Sequence, residues 1–267
     1  MKVLIVGAHP DDCDIYAGGT AALWCARGDT VQFLSMTNGD AGHHELSREE
    51  LSERRRGESR RAAAVLGIEY EVLEHHDGGL VPSLEIREDL IRRIRRLAPD
   101  LILTHRPCDY HPDHRYTSQL VQDSAFMVTV PLVCPDTPHL EVNPVLGYLW
   151  DDFQKPLPFQ ADVAVPVDSV ASKKWDLLAC HESQFFEWLP FNLKQGDAPE
   201  SPEGRRLYLE ETWAPHLLAM ADAARPLLRE QFGEAAEGIR FAECFEIGEH
   251  GRRPDDDEIR TLFPASS

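Results

Sequence analysis

Short apolar runs recur along the first two-thirds of the chain, separated by longer segments of mixed polarity. Residues 2–7 (KVLIVG) form an apolar run that contains β-branched Val and Ile and ends in Gly. This pattern is typical of a strand that is buried on both faces. Comparable runs follow at residues 30–36, 68–73, 101–105, 145–149 and 161–165. The pattern therefore predicts strands at these positions.

The segments between the apolar runs have the signals of amphipathic helices. Ser47 precedes Glu50 by three residues, which is a capping-box pattern, and Gly67 follows Leu66 as a typical helix C-cap. The sequence therefore predicts a helix from Ser47 to Leu66. Further helices are predicted at residues 18–28, 84–98, 113–126 and 169–182.

Alternating strands and helices indicate an α/β fold with a mainly parallel sheet between two helical layers, as in Rossmann-like three-layer proteins. The last third of the chain is harder to assign. Residues 185–202 are expected to form a loop, Pro215 and Pro226 are expected to break any helix within 205–232, and the tail from Arg252 is expected to be solvated. Without a repeat or a linker, we expect one domain over 1–267, less assignable from about residue 186.

Composition narrows the classes of partner and compartment. The 267 residues carry 27 Lys and Arg against 46 Asp and Glu, a formal net charge of −19. Such a surface repels phosphate backbones and anionic membranes, so neither nucleic acid nor a membrane is an expected partner. The six cysteines are scattered without a CxxC pair, and no apolar run approaches the roughly 20 residues that span a bilayer. We therefore expect a reduced, cytoplasmic protein.

Two clusters of imidazole and carboxylate groups follow two of the predicted strands. Residues 8–12 (AHPDD) come after the first strand, and residues 109–115 (DYHPDHR) come shortly after the strand that starts at Leu101. The carboxyl ends of parallel strands form the ligand-binding edge of an open α/β sheet. Imidazole and carboxylate suit zinc, and a catalytic zinc site uses three protein ligands and keeps a position for water. The sequence therefore predicts one metal site built from both clusters.

These motifs resemble those of the PIG-L/LmbE-like zinc-dependent N-deacetylases. The resemblance is carried by residues 8–12 with Gly18-Gly19-Thr20, and by residues 111–114 (HPDH). Weaker matches are the loop at 37–42 (TNGDAG), the RxxE…AA…LG helix at 55–67 and the H-x-S-Q segment at 181–184. The match spans roughly residues 3–185.

The resemblance implies roles for residues of the two clusters. His9, Asp12 and His114 are the implied zinc ligands, and an exchange of roles between His111 and His114 is the alternative. Asp11 is the implied general base, which takes a proton from the water that zinc activates.

The remaining implied roles concern the developing charge and the substrate. His111 is implied to stabilise the tetrahedral oxyanion or to protonate the leaving amine, with Asp113 holding it in place and charged. Arg55 and Asp77 match positions that contact the sugar in related enzymes, and Tyr110 lies beside His111, where it can swing over the site.

The function implied is hydrolysis of the N-acetyl group of an N-acetylglucosamine-type amino sugar or its glycoside, with Zn²⁺ as cofactor. One alternative is an amidase that acts on another N-acyl small molecule, and a second is a catalytically silent sugar-binding protein on the same scaffold. The joint presence of Asp11, His111 and Asp113 argues against a catalytically silent protein, since sugar binding alone needs no base beside the metal. Family resemblance also makes a homo-oligomer, a trimer or a hexamer, an expected assembly.

Overall fold

The computed structural model describes residues 1–264 as an alternation of strands and helices. The strands are β1 (Lys2–Gly7), β2 (Thr30–Thr37), β3 (Glu69–His75), β4 (Leu101–Thr104), β5 (Val145–Leu149), β6 (Val163–Pro166) and β7 (Ala242–Ile247). The α-helices are α1 (Asp12–Arg27), α2 (Arg48–Leu66), α3 (Leu84–Leu97), α4 (Pro112–Ala125), α5 (Ala171–Cys180), α6 (Leu189–Asn192), α7 (Pro202–Ala223), α8 (Arg225–Phe232) and α9 (Asp256–Leu262).

The strands form one seven-stranded sheet in the order β3-β2-β1-β4-β5-β7-β6. Strands β1 to β5 are all parallel to one another, and β7 is antiparallel to both β5 and β6. The sequence order of the strands reverses between β1 and β4. In open α/β sheets a crevice forms at such a switch point, outside the carboxyl ends of the strands.

Alternate residues of β1 face opposite helical layers. Val3 and Ile5 pack in the core beneath α1, α5 and α7, whereas Leu4 and Val6 pack in the core beneath α3 and α4. Because both faces are covered, the strand reads as a continuous apolar run. The predicted α/β architecture, a mainly parallel sheet between two helical layers, is confirmed.

Local signals placed the ends of α2 correctly. Ser47 caps the helix and forms the reciprocal capping box with Glu50, and Gly67 ends it in the left-handed conformation. The predicted start of α1 is wrong, because the helix begins at Asp12 and not at Gly18. Gly19 lies inside α1, where a Cβ atom would come within 2.8 Å of Val167. The small residues are therefore explained by close packing and not by a helix start.

The C-terminal region is more regular than expected. Residues 185–192, which belong to the segment expected to be a loop, lie in a π-helical turn (Ser183–Trp188) followed by α6. Helix α7 continues through Pro215, and it buries Leu209 and Leu217 against the sheet. An internal proline costs about 3 kcal/mol, which burial of two leucines can offset at about 1.5–3 kcal/mol each.

The end of the described chain also packs against the body. Strand β7, which the sequence analysis missed, lies inside the sheet, and α9 replaces the expected solvated tail. Leu262 and Phe263 are buried, and the carbonyl oxygen of Leu262 accepts a hydrogen bond from the Trp24 indole at 2.8 Å. Within residues 1–264, no helix is both long and apolar enough to cross a bilayer.

Candidate active site

The two predicted clusters meet at the switch point of the sheet. Strands β1 and β4 are parallel neighbours, with Val6 paired to Thr104, so the loops that follow them leave the sheet side by side. His9 and Asp12 come from the loop after β1 and the first residue of α1. His114 comes from the first turn of α4, which begins at Pro112. Rigid elements therefore hold these side chains on both sides.

Potential metal-donor atoms of three side chains converge between these elements. His9 Nδ1 lies 3.2 Å from His114 Nε2 and 3.5 Å from Asp12 Oδ2, and His114 Nε2 lies 3.5 Å from Asp12 Oδ1. A tetrahedral zinc ion with bonds of about 2.0–2.1 Å places its ligands about 3.3–3.4 Å apart. The His9 and His114 nitrogens are thus close to this spacing, and each lies 3.5 Å from a different oxygen of Asp12.

Carboxylates set the tautomers of both imidazoles. His114 Nδ1 lies 2.9 Å from Asp109 Oδ2, and His9 Nε2 lies 3.2 Å from Asp77 Oδ1 and 3.4 Å from Asp113 Oδ2. Because carboxylates only accept, these outer nitrogens carry the protons. In the neutral rings, the lone pairs of His9 Nδ1 and His114 Nε2 therefore face each other, and the contact becomes attractive when a proton or a metal ion lies between them. The donor set fits a metal ion whose imidazole ligands are held by carboxylates.

The ionisation of the donors also favours a cation. Burial acts to lower the pKa of His9, but hydrogen bonds to Asp113, Asp12 and Asp77 raise it well above its usual value. Burial acts to raise the pKa of Asp12, but the charges of His114 and His105 hold it well below its usual range. The centre therefore keeps an ionised carboxylate and attracts positive charge.

Other groups of His and Asp share these residues. Among the described residues, ligand atoms also lie within 4.8 Å of one another in the sets His9–His111–His114, Asp12–His105–His114 and His9–Asp77–Asp113. Asp12 Oδ2 is already occupied, because it accepts the backbone N–H groups of Ala8 (2.9 Å) and His9 (2.7 Å). Its Oδ1 is the oxygen that faces His114.

Asp11 lies beside the donors and is held by an arginine. Asp11 Oδ2 is 2.8 Å from Arg55 Nη2, and Arg55 Nη1 donates to the carbonyl oxygen of Gly39 at 3.3 Å. Gly39 has a positive φ of 66°, and a Cβ atom there would be 2.4 Å from Arg55 Nη1. Arg55 is only 2% exposed. The loop glycine thus leaves room for a buried guanidinium that fixes Asp11.

His111 and Asp113 are both at the centre, but their contact differs from the expected one. The Asp113 carboxylate faces His9 and accepts the backbone N–H of Gly78 at 2.7 Å, so it does not hold the His111 ring. Instead, the backbone N–H of Asp113 donates to His111 Nδ1 at 3.2 Å. The proton of neutral His111 therefore sits on Nε2. Burial lowers the pKa of His111, and the nearby imidazoles of His9 and His114 lower it further.

Asp77 and Tyr110 lie on opposite sides of the centre. Asp77 Oδ1 contacts His9. Burial acts to raise the pKa of the Asp77 carboxyl, but the hydrogen bond and charge of His9 lower it below its usual range. Tyr110 is 71% exposed, and its ring centroid lies 5.9 Å from that of His114. The nine predicted site residues thus lie at or beside one centre, with Arg55 buried behind Asp11 and Tyr110 at the rim.

The sequence analysis missed two residues that contact the ligand set. Asp109 accepts from His114, and His105 stacks on the His114 ring with centroids 3.9 Å apart. His105 Nε2 also lies 3.1 Å from the backbone nitrogen of Ala8. Their positions in the sequence could have indicated them, since His105 directly follows β4 and Asp109 is the first residue of the second cluster.

The weaker motifs support the loops around the site. Within the H-x-S-Q segment, His181 pairs with Asp14 at 3.0 Å, and Ser183 Oγ donates to Glu58 at 2.7 Å. In the loop after β2, Asp40 accepts the backbone N–H of Asp77 at 3.0 Å. These contacts place the segments that surround the centre and do not enter it.

Comparison with known proteins agrees with this geometry. The sequence pattern of the PIG-L family, described as GlcNAc-PI de-N-acetylase, matches residues 4–125. A diacetylchitobiose deacetylase of Thermococcus kodakarensis is 30% identical over 252 residues, which cover 90% of this chain and 82% of that protein. The chain belongs to the PIG-L family.

Two further PIG-L-like proteins bear on the chemistry. The crystal structure of the N,N'-diacetylchitobiose deacetylase from Pyrococcus horikoshii, in complex with its inhibitor MPG, superposes with a TM-score of 0.72 at 26% identity, covering 93% of this chain and 84% of that one. A 4-oxalmesaconate hydratase of Pseudomonas putida is 26% identical over 70% of this chain and 75% of that protein. The relatives thus include both deacetylases and a hydratase.

Proposed function

We propose that this protein is a zinc-dependent N-deacetylase that releases acetate and a free amine from N-acetylglucosamine-type sugars. The observation that carries the proposal is the set of converging donors, His9, Asp12 and His114, with the Asp11 carboxylate beside it. Family membership and the diacetylchitobiose deacetylases among its relatives support the same reaction.

The proposed zinc ligands are His9 Nδ1, Asp12 and His114 Nε2. The carboxylates of Asp77, Asp109 and Asp113 would hold the two imidazoles in the ligating tautomer. Zinc bound there would polarise the amide carbonyl and lower the pKa of a water molecule towards about 7. His111 is the less suitable ligand, because its Nδ1 already accepts the Asp113 N–H.

Asp11 is the proposed general base. Asp11 directly precedes the donor residue Asp12, and its carboxylate is oriented by the 2.8 Å contact with Arg55. In the proposed reaction, Asp11 takes a proton from the attacking water and the same proton passes to the leaving nitrogen. Water and amide thus become amine and acetic acid, which ionises to acetate and releases its proton to solvent. A positioned base of this kind typically contributes about 10²–10⁴-fold. The sugar contact expected for Arg55 stays a prediction.

His111 is proposed to stabilise the carbonyl oxygen as negative charge develops on it. With Nδ1 occupied by the Asp113 N–H, His111 has its Nε2–H available for donation. A neutral imidazole with a lowered pKa still performs this role, because the donor is the N–H and not the charge. The expected role of the Asp113 carboxylate, to orient His111 and hold it charged, is not part of the proposal, because that carboxylate faces His9 and the pKa of His111 is lowered.

The charge around the centre favours an uncharged sugar over a polyanion as substrate. The cationic side chains on this side, Arg55 and Arg48, are paired with Asp11 and Asp40 at 2.8 Å each. Asp77 has a second carboxylate oxygen to accept a sugar hydroxyl. An acidic substrate of the kind that the hydratase relative is named for would find carboxylates here, so we favour deacetylation. Zinc-dependent hydrolysis of another N-acyl amide stays the alternative.

Measuring amine release together with the zinc content of the protein tests the proposal. We expect zinc-loaded wild-type protein to release amine from N-acetylglucosamine or N,N'-diacetylchitobiose, and Asp11→Asn to keep one zinc while kcat falls by about 10²–10⁴. Asp123→Asn, an aspartate on the outer part of α4, serves as the matched control and should retain full activity. Zinc-loaded wild type that releases no amine from any N-acyl amino sugar would refute the proposal. Consumption of 4-oxalmesaconate instead would identify a hydratase.

Assembly and compartment stay predictions. A trimer or hexamer is implied by the resemblance, and a cytoplasmic location is expected from the scattered cysteines. The net charge of −19 supports the expectation that nucleic acid is not a partner.

A further inference from the structure

An apolar cavity of about 180 Å³ opens beside the candidate active site. Its lining is dominated by aromatic side chains: Tyr16, Tyr110, Trp150, Phe153, Trp175 and Trp213. Its inner wall is formed by α5 and α7, where Leu178, Leu217 and Met220 are almost fully buried. Its mouth includes the exposed Tyr110. The cavity therefore leads from the surface beside the centre into the core.

The cavity shares residues with the metal-donor shell. Asp109 lines it and holds His114 at 2.9 Å, and Tyr110 lines it with its ring 5.9 Å from that of His114. Tyr16 brings its ring within 6.0 Å of His105 on the inner side. One layer of side chains therefore separates a group bound here from the proposed metal ligands. A substituent on a substrate at the centre can span this distance.

The charged groups along the cavity offer no partner to an anionic occupant. Lys174 reaches its wall, but the ammonium group is buried and contacts Glu243 and the carbonyl oxygen of Ile15 at 2.5 Å each. Asp151 at the mouth is paired with Arg106 at 2.7 Å. With no uncommitted cation among its described lining residues, the cavity has nothing to neutralise an anion, and its aromatic walls favour an uncharged apolar group.

The size of the cavity limits the occupant. A 150 Å³ cavity lined by apolar side chains is known to stay dry and to bind benzene. A space of about 180 Å³ accordingly fits a phenyl ring or an alkyl chain of similar volume. Protein interiors are otherwise close-packed, so an aromatic cavity that opens beside a reaction centre indicates a ligand subsite.

The two sides of the centre differ in polarity. The loops after β2 and β3 contribute Asp40 and Asp77, and Asp77 suits a sugar hydroxyl. Helix α2 contributes Arg55, which contacts Asp11 on the same side. The aromatic cavity lies on the other side, towards β5 and α7. We propose that this cavity binds an uncharged apolar group of about phenyl size that is carried by the amino-sugar substrate. The inference rests on the proposed deacetylase function and specifies its substrate class.

The apolar group can be attached to the amino sugar either at the anomeric oxygen or in the acyl group. Pairs of substrates that differ at one of these positions distinguish the two cases. One arm compares the methyl and phenyl β-glycosides of N-acetylglucosamine, which differ at the anomeric oxygen. The other arm compares N-acetylglucosamine with N-phenylacetylglucosamine, which differ in the acyl group. We expect kcat/KM for amine release to rise about tenfold or more with the phenyl group in one arm. Ratios within about threefold of unity in both arms would overturn the proposal.

A larger side chain in the cavity wall should remove the preference for the phenyl-bearing substrate. Leu217→Phe narrows the inner wall, and we expect the phenyl-to-methyl ratio in the responsive arm to fall towards unity. Leu207→Phe introduces the same change on the exposed face of α7 and should keep both the ratio and the activity. A ratio that survives in Leu217→Phe would place the phenyl group outside this cavity and contradict the proposal.

A binding measurement separates this inference from the proposed function. The four compounds are titrated into Asp11→Asn protein and followed by fluorescence of the three cavity tryptophans. A Kd about tenfold lower for a phenyl compound, lost on adding Leu217→Phe, supports the cavity even if no compound is hydrolysed. Turnover without any phenyl preference in Kd or kcat/KM would keep the deacetylase and refute the subsite.

Discussion

At the scale of single residues, Asp109 illustrates how a neighbouring carboxylate determines the tautomer of a proposed metal ligand, His114. Its carboxylate accepts from His114 Nδ1 at 2.9 Å, which leaves His114 Nε2 as a lone pair directed at His9 and Asp12. Burial acts to raise the pKa of Asp109, but the hydrogen bond and charge of His114 lower it. Asp109 is therefore an ionised acceptor that keeps the ring in the ligating tautomer.

We predict that Asp109→Asn lowers zinc affinity about 10–100-fold, the usual effect of removing a carboxylate behind a ligating imidazole. Competition with a chromogenic chelator measures the affinity. Asp123→Asn on the same helix as His114 is the control and should bind zinc like wild type. An Asp109→Asn protein with wild-type affinity would show that the tautomer of His114 is fixed in another way.

At the scale of elements, α1 is anchored by a buried ion pair that the metal site does not use. The Glu243 carboxylate on β7 accepts from the backbone N–H groups of Gly19 (2.9 Å) and Thr20 (2.7 Å), and Lys174 Nζ on α5 contacts it at 2.5 Å. Both charged side chains are at most 2% exposed. This contact joins α1, which begins at Asp12, to two other elements of the core.

We predict that Lys174→Met lowers the free energy of unfolding by about 3–5 kcal/mol, because it leaves the Glu243 carboxylate buried without its counter-ion. Urea denaturation measures the change. Adding Glu243→Gln should restore part of the loss, and Arg253→Met, which breaks an exposed pair, should cost less than about 1 kcal/mol. A loss in Lys174→Met as small as that of the control would mean that water reaches the pair.

The segment after α5 is predicted to make stability depend on pH. Burial acts to lower the pKa of His181, but the charge and hydrogen bond of Asp14 raise it above its usual value of 6.5. A raised pKa in the folded state stabilises the protein fully below the unfolded pKa, and the contribution disappears as the pH rises through the folded pKa.

The stability advantage of wild type over His181→Gln should therefore be largest below about pH 6 and decrease above the folded pKa. Urea denaturation of both proteins across this range measures it, and their difference cancels groups that titrate in both. An advantage that is constant with pH would show that His181 stays neutral beside Asp14.

At the scale of the whole molecule, the centre concentrates negative charge in a protein that is already acidic. The net charge is −19, and Asp12, Asp77, Asp109 and Asp113 lie around two imidazoles. A bound divalent cation should therefore link β1, α1 and α4 and reduce the mutual repulsion of the carboxylates.

We predict that free zinc at about 1,000 times its Kd raises the unfolding free energy by about 4 kcal/mol and the melting temperature by about 10 °C relative to protein with chelator. Calorimetry measures the shift. Asp12→Ala, which removes one proposed ligand, should lose most of it. An equal shift in that variant would mean that zinc stabilises the protein from another site.

Several features of this protein follow from the sequence by itself. The α/β class, the ends of α2 and the meeting of the two His/Asp clusters were all predicted, because apolar periodicity and helix caps are local signals and parallel strands bring their carboxyl ends to one edge. The residue types in the clusters also predicted a metal centre.

Other features were decided only by the tertiary structure. The Asp113 carboxylate faces His9 instead of His111, and Arg55 reaches Asp11 through the space that Gly39 leaves. These pairings depend on distances between elements far apart in the chain. Burial likewise outweighed local signals where α7 runs through Pro215. The aromatic cavity exists only where α1, α5 and α7 meet, because its walls come from segments that no local pattern relates.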